Sequence, residues 1–145
     1  MNVGGVLETC LYAADLRAAE AFYTTVLGLE VHARAEERHV FFRCGAGMLL
    51  VFDPGRTAAE QTHVGGRPVP LHGAHGAGHV AFAVRGAELD AWRERLRSLG
   101  VETESEVEWP HGGVSLYLRD PAGNSVELAS PAMWGLPEPA PGGGG

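Results

Sequence analysis

Five polar side chains lie at alternating positions of predicted strands, where one face of a sheet would collect them. They are two carboxylates, an imidazole, a guanidinium and a phenol: Glu8, Glu127, His79, Arg43 and Tyr117. Because strand side chains alternate between the two faces of a sheet, we expect these groups to share one face. Ionisable groups are costly inside a protein unless they are paired or bound to a metal, so this face predicts a pocket.

One histidine and two carboxylates make a ligand set for a divalent metal ion. His79, Glu8 and Glu127 supply the nitrogen and oxygen donors that such ions prefer. The alternative is structural: His79 is a hydrogen-bonded interior histidine, and the two carboxylates pair with Arg43 or Arg119. Spacing alone leaves both interpretations open.

Two further side chains on this face have chemistry of their own. The hydroxyl of Tyr117 could bond a substrate oxygen or an intermediate, which makes it the catalytic candidate. Arg43 occupies the equivalent place in the first half of the chain and could hold a carboxylate or phosphonate through two parallel hydrogen bonds. An ordinary buried hydrogen bond or ion pair is the alternative for each.

Apolar and loop residues complete the predicted substrate-binding set. Its aromatic walls, and its loop residues between the second and third strands of the second half, are Phe41, Phe52, Trp109 and His111. Plain packing is the alternative for Trp109. Three more histidines lie in a glycine-rich linker and are interpreted as solvated loop residues, with a role in a moving lid as the alternative: His63, His72 and His75.

The elements that must position these residues occur twice along the chain. The first half contains a strand with Glu8, then a helix, then a Leu-Gly-Leu-Glu turn at Gly28. The second half repeats this series with a strand that begins near His79, a helix, and a Leu-Gly-Val-Glu turn at Gly100. The offset between the two turn glycines is 72 residues, and that between Glu8 and His79 is 71. The chain is therefore predicted to contain two modules of similar length.

Each module is predicted to have the order β-α-β-β-β. Apolar, β-branched runs predict strands at 6–12, 29–35, 38–44 and 47–53, and at 78–84, 101–107, 113–119 and 124–130. Helical spacing begins at Leu16, where Asp15 can cap the helix, and ends at Gly28. A second helix runs from Leu89 to the residue before Gly100.

The chain of 145 residues fits one domain of the α+β class, predicted over 1–136. Its parts are module one at about 4–53, a Gly/Pro/His-rich linker at about 54–77, module two at about 78–133, and a disordered Pro/Gly tail at 137–145.

Composition excludes several classes of protein. A formal net charge of −7 argues against a nucleic-acid partner. No apolar run approaches the length of about 20 residues that spans a bilayer, and the start of the chain has no signal-peptide pattern, so we expect a cytoplasmic protein without a membrane partner. Two cysteines, Cys10 and Cys44, are predicted to be reduced, small core residues.

Four segments of the sequence resemble the vicinal oxygen chelate superfamily, which includes glyoxalase I, bleomycin-resistance proteins, fosfomycin-resistance enzymes and extradiol dioxygenases. The segments are Ala14–Leu16, Ala21–Leu29, Gly78–Phe82 and Ser115–Leu128, and the whole resemblance covers about 5–133. It implies two βαβββ modules that form a cup-shaped mixed sheet around a metal ion. By position, Glu8, His79 and Glu127 fall where the ligands of that ion lie.

The resemblance also implies an activity. It indicates a metal-dependent enzyme of the glyoxalase/dioxygenase type that chelates two oxygens of a small-molecule substrate at one divalent ion, which could be Mn, Fe, Ni, Zn or Mg. A homodimer is expected as well. Lyase, isomerase, dioxygenase and transferase chemistry all stay open.

Departures from the family pattern keep two other functions open. Glyoxalase I has a further carboxylate in the last strand of the first module, and the matching position here is Leu50, which argues against glyoxalase activity. Bleomycin-resistance proteins bind a drug without a metal triad, so a metal-free binding or sequestering protein is the main alternative. A subunit with a decayed site is a third interpretation.

Overall fold

The computed structural model describes residues 1–140, which form two compact units. The first unit comprises residues 1–78 and 121–124, and the second comprises residues 79–120 and those from 125 onward. Each unit contains a four-stranded mixed sheet and a long helix. The prediction of an α+β fold with two βαβββ modules is therefore confirmed.

The first unit has four main strands and one ten-residue helix. They are β1 (Glu8–Tyr12), α1 (Leu16–Thr25), β2 (Glu30–Ala35), β3 (His39–Cys44) and β4 (Gly47–Phe52). The strand order is β1-β4-β3-β2, with β1 parallel to β4 and the other pairs antiparallel. The Asp15 side chain caps α1 by accepting a hydrogen bond from the backbone N–H of Ala18 at 2.9 Å, as predicted.

The predicted linker contains regular structure. It holds the helix α2 (Pro54–Ala59) and two short paired strands, β5 (His63–Val64) and β6 (Arg67–Pro68). Asp53 caps α2 through the backbone N–H of Arg56 at 2.9 Å, and Pro54 occupies the first helical turn, where its missing N–H costs nothing. An Asp-Pro pair after an apolar strand is the sequence signal for this helix.

The second unit repeats the plan of the first. Its elements are β7 (His79–Ala83), α3 (Leu89–Ser98), β8 (Ser105–Glu108), β9 (Val114–Arg119) and β10 (Ser125–Ala129). The strand order is β7-β10-β9-β8, and β7 is parallel to β10 as β1 is to β4. A strand predicted at 101–107 begins only at Ser105, because the backbone N–H of Val101 bonds Leu96 O at the end of α3.

One face of each sheet forms the core of its unit. The fully buried side chains of these faces are Phe42, Leu49, Val40 and Val51 in the first unit and Leu116, Leu118, Val126 and Leu128 in the second. Tyr23 of α1 and Leu96 of α3 are buried in the same units. The two cysteines are reduced, but Cys10 is exposed on the opposite face of its sheet, so its prediction as a core residue is wrong.

The C-terminal residues after β10 are described as far as residue 140. A short 3₁₀ helix at Pro131–Trp134 is followed by residues without regular structure, among which Glu138 accepts a hydrogen bond from the backbone N–H of Gly86 at 2.9 Å. Residues 141–145 lie outside the described part, so disorder of the tail stays a prediction. No helix among residues 1–140 is long and apolar enough to cross a membrane.

Candidate metal centre and substrate site

Three neighbouring strands of the second sheet, β7, β10 and β9, bring His79, Glu127 and Tyr117 together. Glu127 of β10 is the register partner of Tyr117 on β9 and of Ala81 on β7, and His79 lies two residues before Ala81 on the same face. These are three of the five residues that the sequence places on one polar face. The second unit therefore carries a polar cluster on its non-core face.

The imidazole of His79 is held between two oxygen atoms. Its Nδ1 lies 3.2 Å from the carbonyl oxygen of Ser125, and its Nε2 lies 3.2 Å from Oε2 of Glu127. A carbonyl oxygen can only accept, which assigns the Nδ1 proton to this bond. In the neutral ring, Nε2 then presents a lone pair to a carboxylate oxygen. Two acceptors at this distance are stabilised by a cation between them, either the second proton of an imidazolium or a metal ion.

The second carboxylate oxygen of Glu127, Oε1, is unsatisfied within the described residues. The Glu127 side chain is 6% exposed, and its Oε1 is buried without a hydrogen bond among the described residues. An unpaired buried carboxylate oxygen is costly, since it has lost its water. His79, by contrast, is about half exposed, so a ligand can approach the pair from solvent. A nitrogen lone pair beside an orphaned carboxylate fits the donor set of a divalent metal ion.

Tyr117 borders the pair on the neighbouring strand. Its ring stacks on that of His79, with ring centroids 6.4 Å apart and an interplanar angle of 25°. Burial raises the pKa of the Tyr117 hydroxyl, a hydrogen bond to Glu127 and the negative charge of Glu127 raise it further, and a hydrogen bond with Ser115 lowers it. The net pKa lies above the ordinary value, so Tyr117 carries its proton at neutral pH.

The loop beyond β8 brings Trp109 to the same face, but its indole is already engaged. Nε1 of Trp109 donates a hydrogen bond to Oγ of Ser115 at 2.8 Å. Ser115 is fully buried, and its alternation with Leu116 predicts that it lies on this face, although no sequence motif assigns it a role. His111, predicted to bind substrate, is exposed in the turn between β8 and β9.

The first unit does not repeat this polar cluster. Glu8 is exposed at the first position of β1, where it is the register partner of Met48. The counterpart of Glu127 in the first sheet is Leu50, because Leu50 pairs with Phe41 and Cys10 as Glu127 pairs with Tyr117 and Ala81. The position where the family resemblance expects a carboxylate and this chain has Leu50 is therefore the counterpart of Glu127.

The predicted equivalence of Arg43 and Tyr117 is wrong. Arg43 pairs with Met48, and Arg119 pairs with Ser125, so the counterpart of Arg43 is Arg119. The counterpart of Tyr117 is Phe41. Arg43 is exposed near the end of β3, two residues beyond Phe41, which occupies the position that the sequence analysis assigned to Arg43.

An aromatic cluster occupies the same face of the first sheet. Its five rings, which contact one another at centroid distances between 4.0 and 6.5 Å, are Tyr12, His39, Phe41, Phe52 and His72. Phe41 and Phe52 are predicted walls, whereas sequence reasoning missed Tyr12 and His39. The alternation that placed Phe41 on this face also applies to His39 and was the available signal.

His72 joins the aromatic cluster from the linker. Its Nδ1 lies 2.9 Å from the hydroxyl of Tyr12, and its backbone N–H bonds Thr57 O at 3.2 Å. The interpretation of His72 as a solvated loop residue is therefore wrong, while His63 and His75 are exposed as expected. Burial, and then the charge of Arg38, lower the pKa of His39, which keeps its imidazole neutral at pH 7.

Within residues 1–140, no group of three or more His, Cys, Asp or Glu side chains is arranged to hold a metal ion. The close pair is His79 with Glu127, and Glu8 belongs to the other compact unit. The structure therefore supplies two of the three predicted ligands at one place.

Comparison with known proteins identifies the family. The family model of the Glyoxalase/Bleomycin resistance protein/Dioxygenase superfamily matches residues 5–128, and the chain belongs to this superfamily. Among solved structures, the chain is similar to lactoylglutathione lyase from Agrobacterium tumefaciens, with 44% identity, a TM-score of 0.85, and coverage of 94% of this chain and 100% of that one.

Two further relatives have names that describe other functions than that of lactoylglutathione lyase. The fosfomycin resistance protein FosX of Listeria monocytogenes is 26% identical over 133 residues, which cover 87% of this chain and 89% of FosX. A glyoxalase/bleomycin resistance protein/dioxygenase from Nocardioides is 25% identical with a TM-score of 0.68, and covers 99% of this chain and 92% of its own. Family membership therefore does not name one reaction.

Proposed function

We propose that this protein is a metal-dependent enzyme of the glyoxalase/dioxygenase type that acts on a small molecule. One observation carries the proposal. Oε2 of Glu127 lies 3.2 Å from Nε2 of His79, whose Nδ1 is already bonded to a carbonyl, and the other carboxylate oxygen, Oε1, is buried without a hydrogen bond within residues 1–140. Membership of the superfamily supports the same chemistry. The metal is divalent, and the nitrogen and oxygen donors are compatible with Mn, Fe, Ni, Zn or Mg.

His79 and Glu127 would hold the ion, and the family resemblance adds Glu8 as the third ligand. When bound, a divalent ion acts as a Lewis acid toward two chelating oxygen atoms of the substrate. The carbonyl of Ser125 fixes the tautomer and the orientation of His79. The buried position of Glu127 keeps its carboxylate from being solvated in competition with a ligand.

Tyr117 is the proposed catalytic group of this site. Its raised pKa keeps the hydroxyl protonated at neutral pH, so the group can donate a hydrogen bond to a substrate oxygen on which negative charge develops. Its stacking on His79 places the phenol next to the proposed ligands. The remaining proposed substrate contacts are Phe41, Phe52, Arg43, Trp109 and His111.

The names of the relatives suggest two reactions to assay first, those of lactoylglutathione lyase and of fosfomycin resistance. The leucine at position 50 argues against the first, since the resemblance assigns a carboxylate of glyoxalase I to this position. The purified protein should be assayed for both reactions with each metal ion in turn. Turnover that is lost in a Glu127 variant would support the proposal that the protein is an enzyme.

Zinc affinity of the metal-free protein tests the proposed ligands without knowledge of the substrate. Glu127→Gln keeps the size of the side chain and removes its charge, so we expect Zn²⁺ binding to weaken by about 100-fold or more. His79→Gln should do the same. The matched control is Glu102→Gln, an exposed glutamate of the same unit, which should bind Zn²⁺ like the parent. Parent-like affinity in Glu127→Gln would overturn the proposal.

We also propose a homodimer in the cytoplasm, on the basis of the family resemblance. Light scattering at micromolar concentration should give twice the 15.3 kDa of one chain, and a monomer mass would refute the dimer.

A mixture of Glu8→Gln and Glu127→Gln chains, refolded together, then tests whether one metal site takes its ligands from both chains. Recovery of about one quarter of the parent zinc stoichiometry is expected if each site takes Glu8 and Glu127 from different chains.

A metal-free binding protein is the second candidate, and the aromatic cluster of the first unit favours it. Five half-buried or buried rings on one face form a surface suited to an apolar or aromatic molecule. Under this alternative, stoichiometric binding of metal-free bleomycin would persist in the presence of a chelator and be lost in Phe41→Ala. Binding that disappears with the chelator would refute it.

A further inference from the structure

Asn124 is a fully buried amide that neither the proposed ligands nor the proposed substrate contacts involve. It directly precedes β10 and is 1% exposed. Its Oδ1 accepts a hydrogen bond from the backbone N–H of Gly78 at 2.7 Å, and its Nδ2 donates one to the backbone carbonyl of Tyr12 at 3.2 Å. A buried amide that is bonded at both ends ties together the backbone segments that it joins.

The bond to Gly78 lies at the start of the parallel strand pair β7 and β10. Gly78 and Asn124 directly precede His79 and Ser125, which are the first register partners of that pair. The bond between Nδ1 of His79 and the carbonyl of Ser125 depends on this register. A slip of one residue would move every side chain of a strand to the other face of the sheet. A bond that fixes the start of the pair therefore also fixes the face on which the imidazole lies.

Gly78 lies too close to its neighbours to carry a side chain. A Cβ atom at this position would come within 2.9 Å of Cδ2 of Leu11 and 3.2 Å of Oδ1 of Asn124. Leu11 is 2% exposed, so it has little room to move away. The glycine is therefore what allows the backbone to approach the amide this closely.

The first unit makes a similar close approach without a side-chain bond. By register, the counterparts of Gly78 and Asn124 are Leu7 and Gly47. A Cβ atom at Gly47 would come within 2.9 Å of the carbonyl oxygen of Leu7, and that oxygen accepts a hydrogen bond from the N–H of Met48 at 3.1 Å. The first unit thus starts its parallel pair with backbone groups, whereas the pair that carries the proposed ligands starts with a side-chain amide.

We propose that Asn124 is a positioning residue for His79 and acts through the backbone of Gly78. Its bond fixes the start of β7 and thereby directs the imidazole to the carbonyl of Ser125 and the carboxylate of Glu127. This inference rests on the proposed function, because it assigns Asn124 to the orientation of a proposed metal ligand. Groups that orient a ligand typically change metal affinity by about 10- to 100-fold.

Zinc affinity of three variants tests the proposal. Asn124→Ala removes the bond to Gly78 and should weaken Zn²⁺ binding about tenfold. Gly78→Ala disturbs the same bond from the other side, should also weaken binding, and serves if Asn124→Ala folds poorly. Asn124→Asp keeps an acceptor for the N–H of Gly78 and loses the amide donor toward Tyr12, so it should bind Zn²⁺ more tightly than Asn124→Ala.

Val40→Ala is the matched control for a general loss of stability. Val40 is buried in the same unit as Asn124, so the variant should unfold more easily while its folded form binds Zn²⁺ like the parent. Parent-like affinity in both Asn124→Ala and Gly78→Ala would overturn the inference. A loss in Val40→Ala as large as that in Asn124→Ala would overturn it as well.

A second readout separates this inference from the proposed function. In metal-free protein with ¹⁵N-labelled histidine rings, the signals that disappear in His79→Gln belong to His79. At alkaline pH they should place the proton on Nδ1 in the parent and in Val40→Ala, and should show a mixture of both tautomers in Asn124→Ala. An unchanged tautomer in Asn124→Ala contradicts the role of Asn124, whereas a parent that binds no Zn²⁺ contradicts the proposed function.

Discussion

The two sheets of this protein have the same strand order, and the register of β1, β4 and β3 equals that of β7, β10 and β9, but the sheets carry different side chains on their non-core faces. The central pair in the second sheet is Glu127 with Tyr117, and in the first it is Leu50 with Phe41. The buried faces, in contrast, are apolar in both units. Packing thus constrains one face of each sheet, and the other face is where the two units have acquired different chemistry.

The difference divides the molecule into a polar and an aromatic region. The second unit presents an orphaned carboxylate oxygen and an imidazole of fixed orientation, which suit a cation. The first unit presents five contacting rings and a neutral His39, which suit an apolar group. A repeated scaffold can therefore provide two kinds of surface without a change of fold.

The largest effects are expected where the two units agree. Phe42 and Leu118 are counterparts in register and are both fully buried. Phe42→Ala should lower the free energy of unfolding by about 3–5 kcal/mol, and Leu118→Ala by about 2–5 kcal/mol, because each leaves a cavity. Urea denaturation measures both. A loss below about 1 kcal/mol in either variant would show that its core face is not close-packed.

A carboxylate placed at the first unit's counterpart of Glu127 should be tolerated poorly. Leu50 is 7% exposed and is the register partner of Phe41, so Leu50→Glu buries a charge without a polar partner. Burial raises the pKa of such a group above its value in the unfolded chain, which makes the destabilisation grow as pH rises above about 4.3. We expect a loss of a few kcal/mol at pH 7 that lessens at pH 4.5.

Denaturation at the two pH values, with Leu50→Gln as the uncharged control, measures this effect. A loss in Leu50→Glu that is the same at both pH values would contradict a buried, unpaired charge at this position. Parent-like stability at pH 7 would mean that the first unit accommodates a polar group as the second does.

The smallest effect concerns the counterparts Arg43 and Arg119 at the strand ends. A hydrogen bond from Arg119 lowers the pKa of Glu104, so this pair stabilises the fold above the unfolded pKa of Glu104 and the contribution disappears as pH falls through the lower folded value. Both groups are well exposed, which makes the effect small. Arg119→Gln should therefore flatten the acid limb of the stability curve slightly, and Arg43→Gln should not.

Thermal unfolding between pH 3 and pH 6 at low salt checks this pair. The contrast should shrink in high salt, because exposed charges are screened. An equal change in both arginine variants would mean that general charge, and not the bond to Glu104, governs the acid limb.

Much of the fold could be predicted from the sequence, because it depends on local periodicity. The alternation of apolar residues gave the core faces, and Asp15 gave the start of α1, which ends at Thr25, three residues before the predicted end at Gly28. Repetition of the same pattern gave the two modules, and the family resemblance pointed to the position of Leu50. These signals lie within short segments of one strand or helix, which is why they can be read without tertiary contacts.

The errors arose where register depends on loop length. The offset between counterparts is 71 residues for Glu8 and His79 but 76 for Arg43 and Arg119, because the connections between the first and third strands differ in length. One repeat length therefore cannot align both ends of the two modules, and the equivalence of Arg43 with Tyr117 was wrong. Contacts made across loops, such as Trp109 with Ser115, have no periodic signal and needed the structure.

Diffraction from crystals grown with Zn²⁺, with data collected on both sides of the zinc absorption edge, tests the central claim most directly. The account predicts an anomalous peak within about 2.0–2.2 Å of Nε2 of His79 and of an oxygen of Glu127. The remaining ligands at that peak would show directly whether Glu8 joins them. A folded protein whose only zinc peaks lie away from His79 and Glu127, or that shows none at saturating zinc, would contradict the assignment of the metal centre to the second unit.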